Sequence, residues 1–342
     1  MGIAARDLGI DLGTSNTLVY VRGKGIVISE PTIVVVEANQ GRRILAVGEE
    51  ARIMLGRATE GIMAVRPMRE GVITDFELTQ ALIRYFIRKA VGSSYLMRPN
   101  VFMSSPCSLS AIEKRAVREA ARYAGTRKVT LCSKPFLSAL GGGLPVYGAT
   151  GCMVVDVGGG TTDAAVLSLG GTVLSHSIRL GGVKMDEAII AFIRREFNIE
   201  IGDRTAEEVK LDLGAALPLR EERRARVRGR DVITNLPQTI EITSGDIYRA
   251  IHEPCMAILE AVRRVLERTP PELAADVMHN GIYLMGGGAQ LYGLDQMIAS
   301  ELGIPVLLAR DPMECTAQGL GNAIDNYDEL KRQGRTGFLE EK

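Results

Sequence analysis

A short pattern occurs twice in the chain, and this repetition constrains the fold more than any other feature of the sequence. Asp11 to Thr17 reads Asp-Leu-Gly-Thr-Ser-Asn-Thr, and Asp156 to Thr162 reads Asp-Val-Gly-Gly-Gly-Thr-Thr. Each copy follows a short apolar strand and leads into another, so each predicts a β-hairpin with a glycine turn. One copy alone would be compatible with an ordinary hairpin, but two copies indicate a duplicated unit.

The residue types in both copies suit a polyphosphate ligand. Glycines let the backbone approach a ligand closely, and the N–H groups of such a turn can bind phosphate oxygens. Serine and threonine hydroxyls add hydrogen-bond donors. Asp11 and Asp156 end their strands and can hold Mg²⁺ through water, since this ion prefers one or two carboxylates together with phosphate. Two such hairpins facing each other would clamp a polyphosphate between two lobes.

Other nucleotide-binding patterns are missing from the sequence. It contains neither the Walker A pattern nor G-x-G-x-x-G, so neither a P-loop nor a dinucleotide fold is supported. A third glycine turn, Gly286-Gly287-Gly288, lies between a predicted strand and a predicted helix. It would let an adenine or ribose lie flat against the backbone, and the alternative interpretation is an ordinary tight turn.

Composition and the order of elements limit the class of protein. The 342 residues predict two lobes, at roughly 150 residues per domain. Strand and helix patterns alternate throughout, which favours an α/β fold with mixed sheets. Basic and acidic residues both number 41, so nothing supports a nucleic-acid partner. The zero net charge also gives weak self-repulsion, which permits self-association.

Several helix starts and breaks follow from local patterns. Asp75 is a predicted N-cap, and Ser110 with Glu113 three residues later forms a predicted capping box. Thr205 is predicted to open a further helix. A helix from Ser244 to Arg268 is predicted to break or bend near Pro254, because proline removes a backbone donor.

The three glycine turns together resemble those of the actin, Hsp70 and sugar-kinase superfamily, and the whole chain is similar to the bacterial actin homologues of the MreB/Mbl family. The matching segments extend over nearly the whole chain. They are Asp11 to Thr17, Arg66 to Ile73, Glu113 to Val117, Gly143 to Pro145, Val154 to Thr162, Leu180 to Gly182, Thr205 to Glu207, Val227 to Asp231, Leu236-Pro237 and Met285 to Ala289.

The resemblance implies an actin-like, two-lobed ATPase fold with duplicated RNase H-like halves and four subdomains around a nucleotide cleft. Domain I would span residues 1–147, and its subdomain IA would carry a small insertion, IB, at about 30–72. Domain II would span residues 148–342, and its subdomain IIA would carry insertion IIB at about 184–260. A C-terminal helix at about 315–330 would return towards domain I.

The ligands implied by the resemblance are ATP or ADP and Mg²⁺. Asp11 and Asp156 would orient the metal through water, and Glu207 and Lys210 would lie on the adenosine side, three residues apart on one helix face. Gly286 to Gly288 would face the nucleotide from the other side. The implied phosphate contacts are Gly13, Thr14, Ser15, Asn16, Gly158, Gly159, Gly160, Thr161 and Thr162.

One residue departs from the family pattern at the expected site of hydrolysis. The family usually has Glu-Pro where this chain has Lys134-Pro135, and that glutamate is credited with positioning the attacking water, beside Asp156 and Thr161. A lysine, with an ordinary pKa of about 10.4, is a cation and a poor base. We therefore expect slow ATP hydrolysis. The alternatives are that Lys134 acts as a charge-stabilising cation and leaves the rate normal, or that Ser133 orients the water. A milder change is Asp163, where family members often have glutamate.

The resemblance also implies a cellular role. Family members polymerise into filaments, usually paired, that lie on the inner face of the cytoplasmic membrane and guide cell-wall synthesis in rod-shaped cells. The expected partners are other copies of the chain, that membrane and proteins of the cell-elongation machinery, and the expected location is cytoplasmic and peripheral on the membrane.

Arg220 to Arg230 contains six arginines that could contact a neighbouring subunit or acidic lipid, or form a solvated face.

Three consecutive apolar residues, Tyr95, Leu96 and Met97, lie between a predicted helix and a predicted strand, where a polar loop is expected. The family has a membrane-insertion loop at this place. The alternative is that these side chains cover the core.

Two other functions of the same superfold remain alternatives at this point. A small-molecule kinase would need a catalytic aspartate and a sugar-sized pocket, and the sequence offers no clear base beyond the metal-type aspartates. A chaperone ATPase would need a substrate-binding domain, and the sequence ends soon after its last predicted helix.

Overall fold

The computed structural model describes residues 7–38, 42–54, 61–92 and 98–340. Strands and helices alternate in the part of the chain up to residue 147. Its elements are β1 (Leu8–Leu12), β2 (Asn16–Val21), β3 (Gly25–Pro31), β4 (Val34–Glu37), β5 (Arg43–Val47), α1 (Glu49–Met54), β6 (Ile62–Val65), β7 (Met68–Arg69), β8 (Val72–Ile73), α2 (Phe76–Val91), β9 (Asn100–Ser105), α3 (Ala111–Tyr123), β10 (Lys128–Ser133) and α4 (Lys134–Gly141).

The remainder of the chain continues the alternation. Its elements are β11 (Cys152–Val157), β12 (Thr162–Ser168), β13 (Gly171–Ile178), α5 (Gly182–Phe197), β14 (Ile199–Glu200), α6 (Asp203–Leu213), β15 (Arg224–Asp231), β16 (Pro237–Thr243), α7 (Ser244–Arg268), α8 (Pro271–Asn280), β17 (Ile282–Met285), a 3₁₀ turn (Gly287–Gln290), α9 (Leu294–Leu302), β18 (Val306–Leu308), α10 (Cys315–Asp325), α11 (Tyr327–Arg332) and β19 (Leu339–Glu340).

Two large sheets share one topology. In the six-stranded sheet the order is β19-β10-β9-β1-β2-β3, and in the five-stranded sheet it is β18-β17-β11-β12-β13. In both, three strands run antiparallel in sequence order, and the first of them pairs in parallel with a strand that comes later in the chain. The prediction of two duplicated α/β halves from the repeated pattern is therefore confirmed. Three small sheets, β14-β15-β16, β5-β4-β6 and β7-β8, complete the described strands.

Two of the predicted helix starts are confirmed. Asp75 caps α2, and its side chain accepts a hydrogen bond from the backbone N–H of Leu78 at 3.1 Å. Ser110 and Glu113 form the expected capping box at the start of α3, with both reciprocal bonds present. These contacts join residues three apart, so the local sequence is sufficient to predict them.

One other predicted helix start is wrong, and a predicted break within a helix is absent. Helix α6 begins at Asp203 and not at Thr205, because the extended backbone of Gly202 lets the helix start earlier and the acidic Asp203 stabilises its first turn. Helix α7 runs without interruption through Pro254. A whole face of α7 is buried in the core of its lobe, and this burial offsets the backbone bond that the proline removes.

The arginine-rich segment forms an exposed strand in the small sheet of the second half. It provides β15, where Arg224 lies 2.9 Å from Glu241 and Arg230 lies 2.5 Å from Glu200. Exposed pairs of this kind contribute little to stability. Among the described residues, none of the helices combines the length and the apolar character needed to cross a membrane.

Each half has its own hydrophobic core, and a third buried cluster lies between the two large sheets. Helices α4 and α10 supply much of this third cluster. A Cβ at Gly141 would overlap the carbonyl oxygen of Cys315, and a Cβ at Gly319 would overlap that of Leu137. The two helices therefore cross with their backbones in direct contact, which only glycine permits at these positions.

We predict that Gly319→Ala lowers the free energy of unfolding by about 1–3 kcal/mol. The added methyl group must displace the backbone of α4, which a close-packed interior resists. Urea unfolding of the two proteins measures the difference. Gly171→Ala is the control, because its Cβ would meet only the carbonyl oxygen of Ser168 at 4.0 Å. Equal losses in the two variants would contradict the crossing as a packing constraint.

Candidate functional site

The two glycine turns predicted from the sequence have the same hydrogen bond. In the first hairpin, β1–β2, the backbone N–H of Gly13 donates to the carbonyl of Asn16 at 3.1 Å. In the second hairpin, β11–β12, the N–H of Gly158 donates to the carbonyl of Thr161 at 2.8 Å. The repeated sequence pattern thus corresponds to a repeated turn geometry.

The two turns touch each other across the two halves of the molecule. A Cβ at Gly159 would overlap the side chain of Ser15, and a Cβ at Gly160 would overlap that of Thr14. The Thr14 hydroxyl also accepts a hydrogen bond from the backbone N–H of Gly71 at 3.1 Å, so the β7–β8 turn closes over the first hairpin. The expectation that the two hairpins face each other is met, and nothing as large as a phosphate separates them here.

Both predicted metal aspartates are buried directly beneath the turns. Asp11 lies in β1, and its Oδ1 accepts a hydrogen bond from the Ser104 hydroxyl of β9. Asp156 lies in β11, where the hydroxyl of Ser138 and, at 3.3 Å, the hydroxyl of Thr316 donate to its Oδ2. These two hydroxyls come from α4 and α10, so the helix crossing places donors at the second aspartate.

Lys134 lies against Asp156 and the second turn. Its Nζ lies 2.9 Å from Oδ1 of Asp156, and the side chain is only 12% exposed. A Cβ at Gly158 would lie 3.1 Å from the same nitrogen. Burial by itself lowers the pKa of Lys134, but the opposing attraction of Asp156, Asp11 and Asp163 raises it well above its usual range. The residue is therefore a fixed cation.

A third carboxylate, Asp163, completes the charge cluster. It accepts hydrogen bonds from the backbone N–H of Cys107 at 2.9 Å and from the Thr161 hydroxyl at 3.2 Å. Burial raises the pKa of Asp163, and burial also raises that of Asp11, while Lys134 opposes both shifts. Position 163, where family members often have glutamate, thus holds a shorter carboxylate. It is hydrogen-bonded to the second hairpin and to the loop that follows β9.

Thr162 and the third glycine turn, which were also predicted to contact the nucleotide, both lie near the second hairpin. The hydroxyl of Thr162 donates a hydrogen bond to the carbonyl of Leu180 at 2.8 Å. A Cβ at Gly286 or at Gly288 would approach the Val157 carbonyl oxygen. The third glycine turn therefore packs against the end of β11, next to the second hairpin.

The predicted adenosine-side residues lie on α6. Lys210 is bound: its Nζ lies 3.0 Å from the carbonyl of Gly182 and 2.7 Å from Oδ1 of Asp186. Glu207 is exposed to solvent on the same helix. Burial raises the pKa of Asp186 to about 6, although Lys210 opposes the shift. Asp186 was not among the predicted site residues, because a carboxylate inside an amphipathic helix gives no local signal of its burial.

A cavity of about 270 Å³ lies beside the two hairpins. It is lined by Thr14, Arg66, Arg69, Glu70, Gly159, Gly160, Val183, Lys184, Asp186, Glu187 and Asp203. Lys184 lies 3.1 Å from Glu70 across this cavity. These charged residues were not among the predicted site residues, although Arg66 to Ile73 was one of the segments that carried the resemblance.

The chemistry of the donors fits Mg²⁺ only in part. Asp11 keeps one carboxylate oxygen that the Ser104 hydroxyl does not occupy. Asp156 fits less well, because Lys134 contacts one of its oxygens and two hydroxyls contact the other. Among the described residues, no group of three or more His, Cys, Asp or Glu side chains is arranged to hold a metal ion by itself. The predicted membrane residues Tyr95, Leu96 and Met97 lie outside the described residues.

Two duplicated α/β halves, joined at a helix crossing and facing each other through equivalent glycine hairpins, define an actin-like protein. Comparison with known sequences identifies the branch of that class. The family described as MreB/Mbl protein matches residues 5–332. The chain is 46% identical over 329 residues to the cell shape-determining protein Mbl of Bacillus cereus, covering 96% of this chain and 98% of that protein. The chain belongs to the MreB/Mbl family.

Further relatives agree with this assignment. The cell shape-determining protein MreB of Escherichia coli is 45% identical over 331 residues, covering 96% of this chain and 95% of that protein. Among solved structures, MreB5 of Spiroplasma citri bound to AMPPNP superimposes with a TM-score of 0.90 at 32% identity, covering 97% of this chain and all of that one. Its ADP-bound form gives a TM-score of 0.87, with 97% and 98% covered.

Proposed function

We propose that this protein is an ATP-dependent, actin-like cytoskeletal protein that polymerises into membrane-associated filaments and helps to determine rod cell shape by guiding cell-wall synthesis. The observation that carries the proposal is the pair of equivalent glycine hairpins in contact above a buried cluster of charged residues. Relatives of this chain at 45% and 46% identity are named as cell shape-determining proteins, which supports the cellular part of the proposal.

The proposed ligand is ATP or ADP, held at the hairpins. The relative from Spiroplasma citri is known bound to AMPPNP and to ADP. The phosphates would contact the two turns, and the nucleoside would extend past Gly286 to Gly288 on one side and Glu207 and Lys210 on the other. Since Ser15 touches Gly159, the lobes must move apart slightly to admit a phosphate.

The proposed division into lobes follows the two sheets except at the end of the chain, where β19 joins the sheet of the first half. Domain I would comprise residues 1–147 and domain II residues 148–342, with small insertions at about 30–72 and 184–260. These insertions contain the small sheets β5-β4-β6 and β14-β15-β16. The segment predicted as one helix at about 315–330 forms two helices, α10 and α11. It would return to domain I, and α10 packs in the cluster that includes Phe102 of β9. A movement of one lobe against the other would then open the cleft.

Mg²⁺ is the proposed accompanying ion, and Asp11 is the residue best placed to orient its waters. The ion would supply charge stabilisation to the phosphates. Asp156 would contribute less than the sequence suggested, because Lys134 already pairs with it. Hydrolysis of ATP would need a positioned water, and near Lys134 the Thr161 hydroxyl is the proposed group to orient it.

The proposed function predicts nucleotide-dependent assembly. ATP should increase the fraction of protein that sediments, and electron microscopy of the pellet should show filaments, because a closed cleft would align the two lobes for contact with a second copy. ADP is the comparison for ATP, and nucleotide-free protein is the control. A protein that binds ATP but forms no filaments at any concentration would contradict the cytoskeletal proposal.

Hydrolysis should be slow in the wild-type protein and faster in Lys134→Glu. A carboxylate at this position can accept a hydrogen bond from the attacking water, whereas a protonated lysine cannot, and such help is worth about 10²–10⁴-fold. Phosphate release from polymerised protein should rise at least about tenfold in the variant, with unchanged polymer mass. Ser133, beside Lys134, could also orient a water. Equal rates, or a lower rate in the variant, would refute this role for position 134.

Membrane attachment is proposed to use Tyr95, Leu96 and Met97, at the inner face of the cytoplasmic membrane. Each inserted side chain gains about 1.5–3 kcal/mol, so one loop binds weakly and a filament of many loops binds by avidity. The double variant Leu96→Ser/Met97→Ser should bind less to acidic phospholipid vesicles in co-sedimentation, with filaments intact. Leu211→Ser, at a position 77% exposed on α6, is the control.

Undiminished vesicle binding by the double variant would rule out this segment as the anchor. A general loss of folding would instead favour the alternative that these side chains cover the core. Proteins of the cell-elongation machinery remain proposed partners, on the strength of the family relationship.

A further inference from the structure

Lys134 places a positive charge where a polyphosphate and a cluster of carboxylates would otherwise meet. Its Nζ lies 2.9 Å from Oδ1 of Asp156. It also lies 3.1 Å from the position that a Cβ would occupy on Gly158, in the turn proposed to bind phosphate, and that position is itself 4.0 Å from Oδ1 of Asp156. The ammonium group is therefore next to both a buried carboxylate and the turn proposed to bind phosphate.

Repulsion between buried carboxylates and the phosphates of a ligand explains why a cation is needed at this site. Asp11, Asp156 and Asp163 are all buried within a few residues of the two turns. A nucleoside triphosphate would bring several further negative charges towards them, into a region where water screens poorly. In sites of this kind, a divalent ion usually bridges the phosphates and the protein carboxylates and removes the repulsion.

The lysine is also held rigidly in this place. It is the first residue of α4, whose crossing with α10 is fixed by the contacts of Gly141 and Gly319. The side chain is only 12% exposed, so it has little freedom to turn towards solvent. A divalent ion that approached Asp156 would meet this ammonium group and be repelled by it.

We propose that Lys134 is a resident monovalent cation of the polyphosphate site, and that nucleotide binding by this protein depends only weakly on divalent metal. The inference rests on the proposed function, because it concerns how the same site accommodates ATP. Lys134 would help to bind ATP through its positive charge, and this role is separate from any effect on hydrolysis. The ion that accompanies ATP then adds to a positive charge that the protein already supplies.

The test is the affinity for ATP, measured by isothermal titration calorimetry with Mg²⁺ present and with the metal removed by EDTA. Wild-type protein should lose less than about tenfold in affinity on metal removal. Lys134→Arg, which keeps the charge, should behave in the same way. Lys134→Gln keeps a hydrogen-bond donor for Asp156 but removes the charge. On metal removal its affinity for ATP should fall by at least about tenfold more than that of the wild type.

Lys128→Gln is the matched control. Lys128 is the first residue of β10, the strand that directly precedes Lys134, and Lys128 is exposed to solvent. Circular dichroism of each variant checks the fold, and if Lys134→Gln does not fold, the wild type and Lys134→Arg decide the question. A loss of about tenfold or more in the wild type, or equal losses in wild type and Lys134→Gln, would overturn the inference. Wild-type protein that binds no ATP even with Mg²⁺ would overturn the proposed function and this inference with it.

Discussion

The direct backbone contact between α4 and α10 is the constraint on which the rest of the structure depends. The two helices lie between the two large sheets, and Gly141 and Gly319 allow their main chains to touch. Because α4 begins at Lys134, the crossing also sets the position of the buried ammonium. Ser138 of α4 and Thr316 of α10 both donate hydroxyl hydrogen bonds to Asp156. Packing and charge placement are therefore achieved by the same pair of helices.

Few groups offset the negative charge of the carboxylates beneath the hairpins. One ammonium, that of Lys134, faces three carboxylates, and each carboxylate accepts at least one hydrogen bond from a hydroxyl or a backbone N–H. Breaking a buried ion pair by removing one partner commonly costs about 3–5 kcal/mol. The departure from the family pattern at position 134 therefore affects the stability of the site as well as its chemistry.

The contact between the two lobes at the outer end of the cleft is of a different kind. Lys184 pairs with Glu70 at 3.1 Å, and Arg179 pairs with Glu113 at 2.8 Å, each joining the first half to the second. These side chains are partly exposed, by 28–43%, and pairs near the surface contribute only about 0–1 kcal/mol. The outer cleft is thus held by weak and reversible contacts, whereas the helix crossing at its base is tightly packed. This difference fits the proposal that the lobes separate to admit a ligand.

The sequence by itself determined the features that depend on neighbours along the chain. Both glycine hairpins, the cap at Asp75 and the capping box at Ser110 rest on residues at most a few positions apart. The repetition of the hairpin pattern was also sufficient to predict duplicated halves, because equal local patterns form equal turns.

The tertiary structure alone decided what surrounds each charged group. It places the ammonium of Lys134 against Asp156, engages Lys210 with Asp186, and turns the Thr162 hydroxyl towards Leu180. Burial and electrostatic attraction are summed over residues that come from distant parts of the chain, so no local pattern records them. For this reason the sequence could identify Lys134 as unusual, and only the folded molecule shows which charges it neutralises.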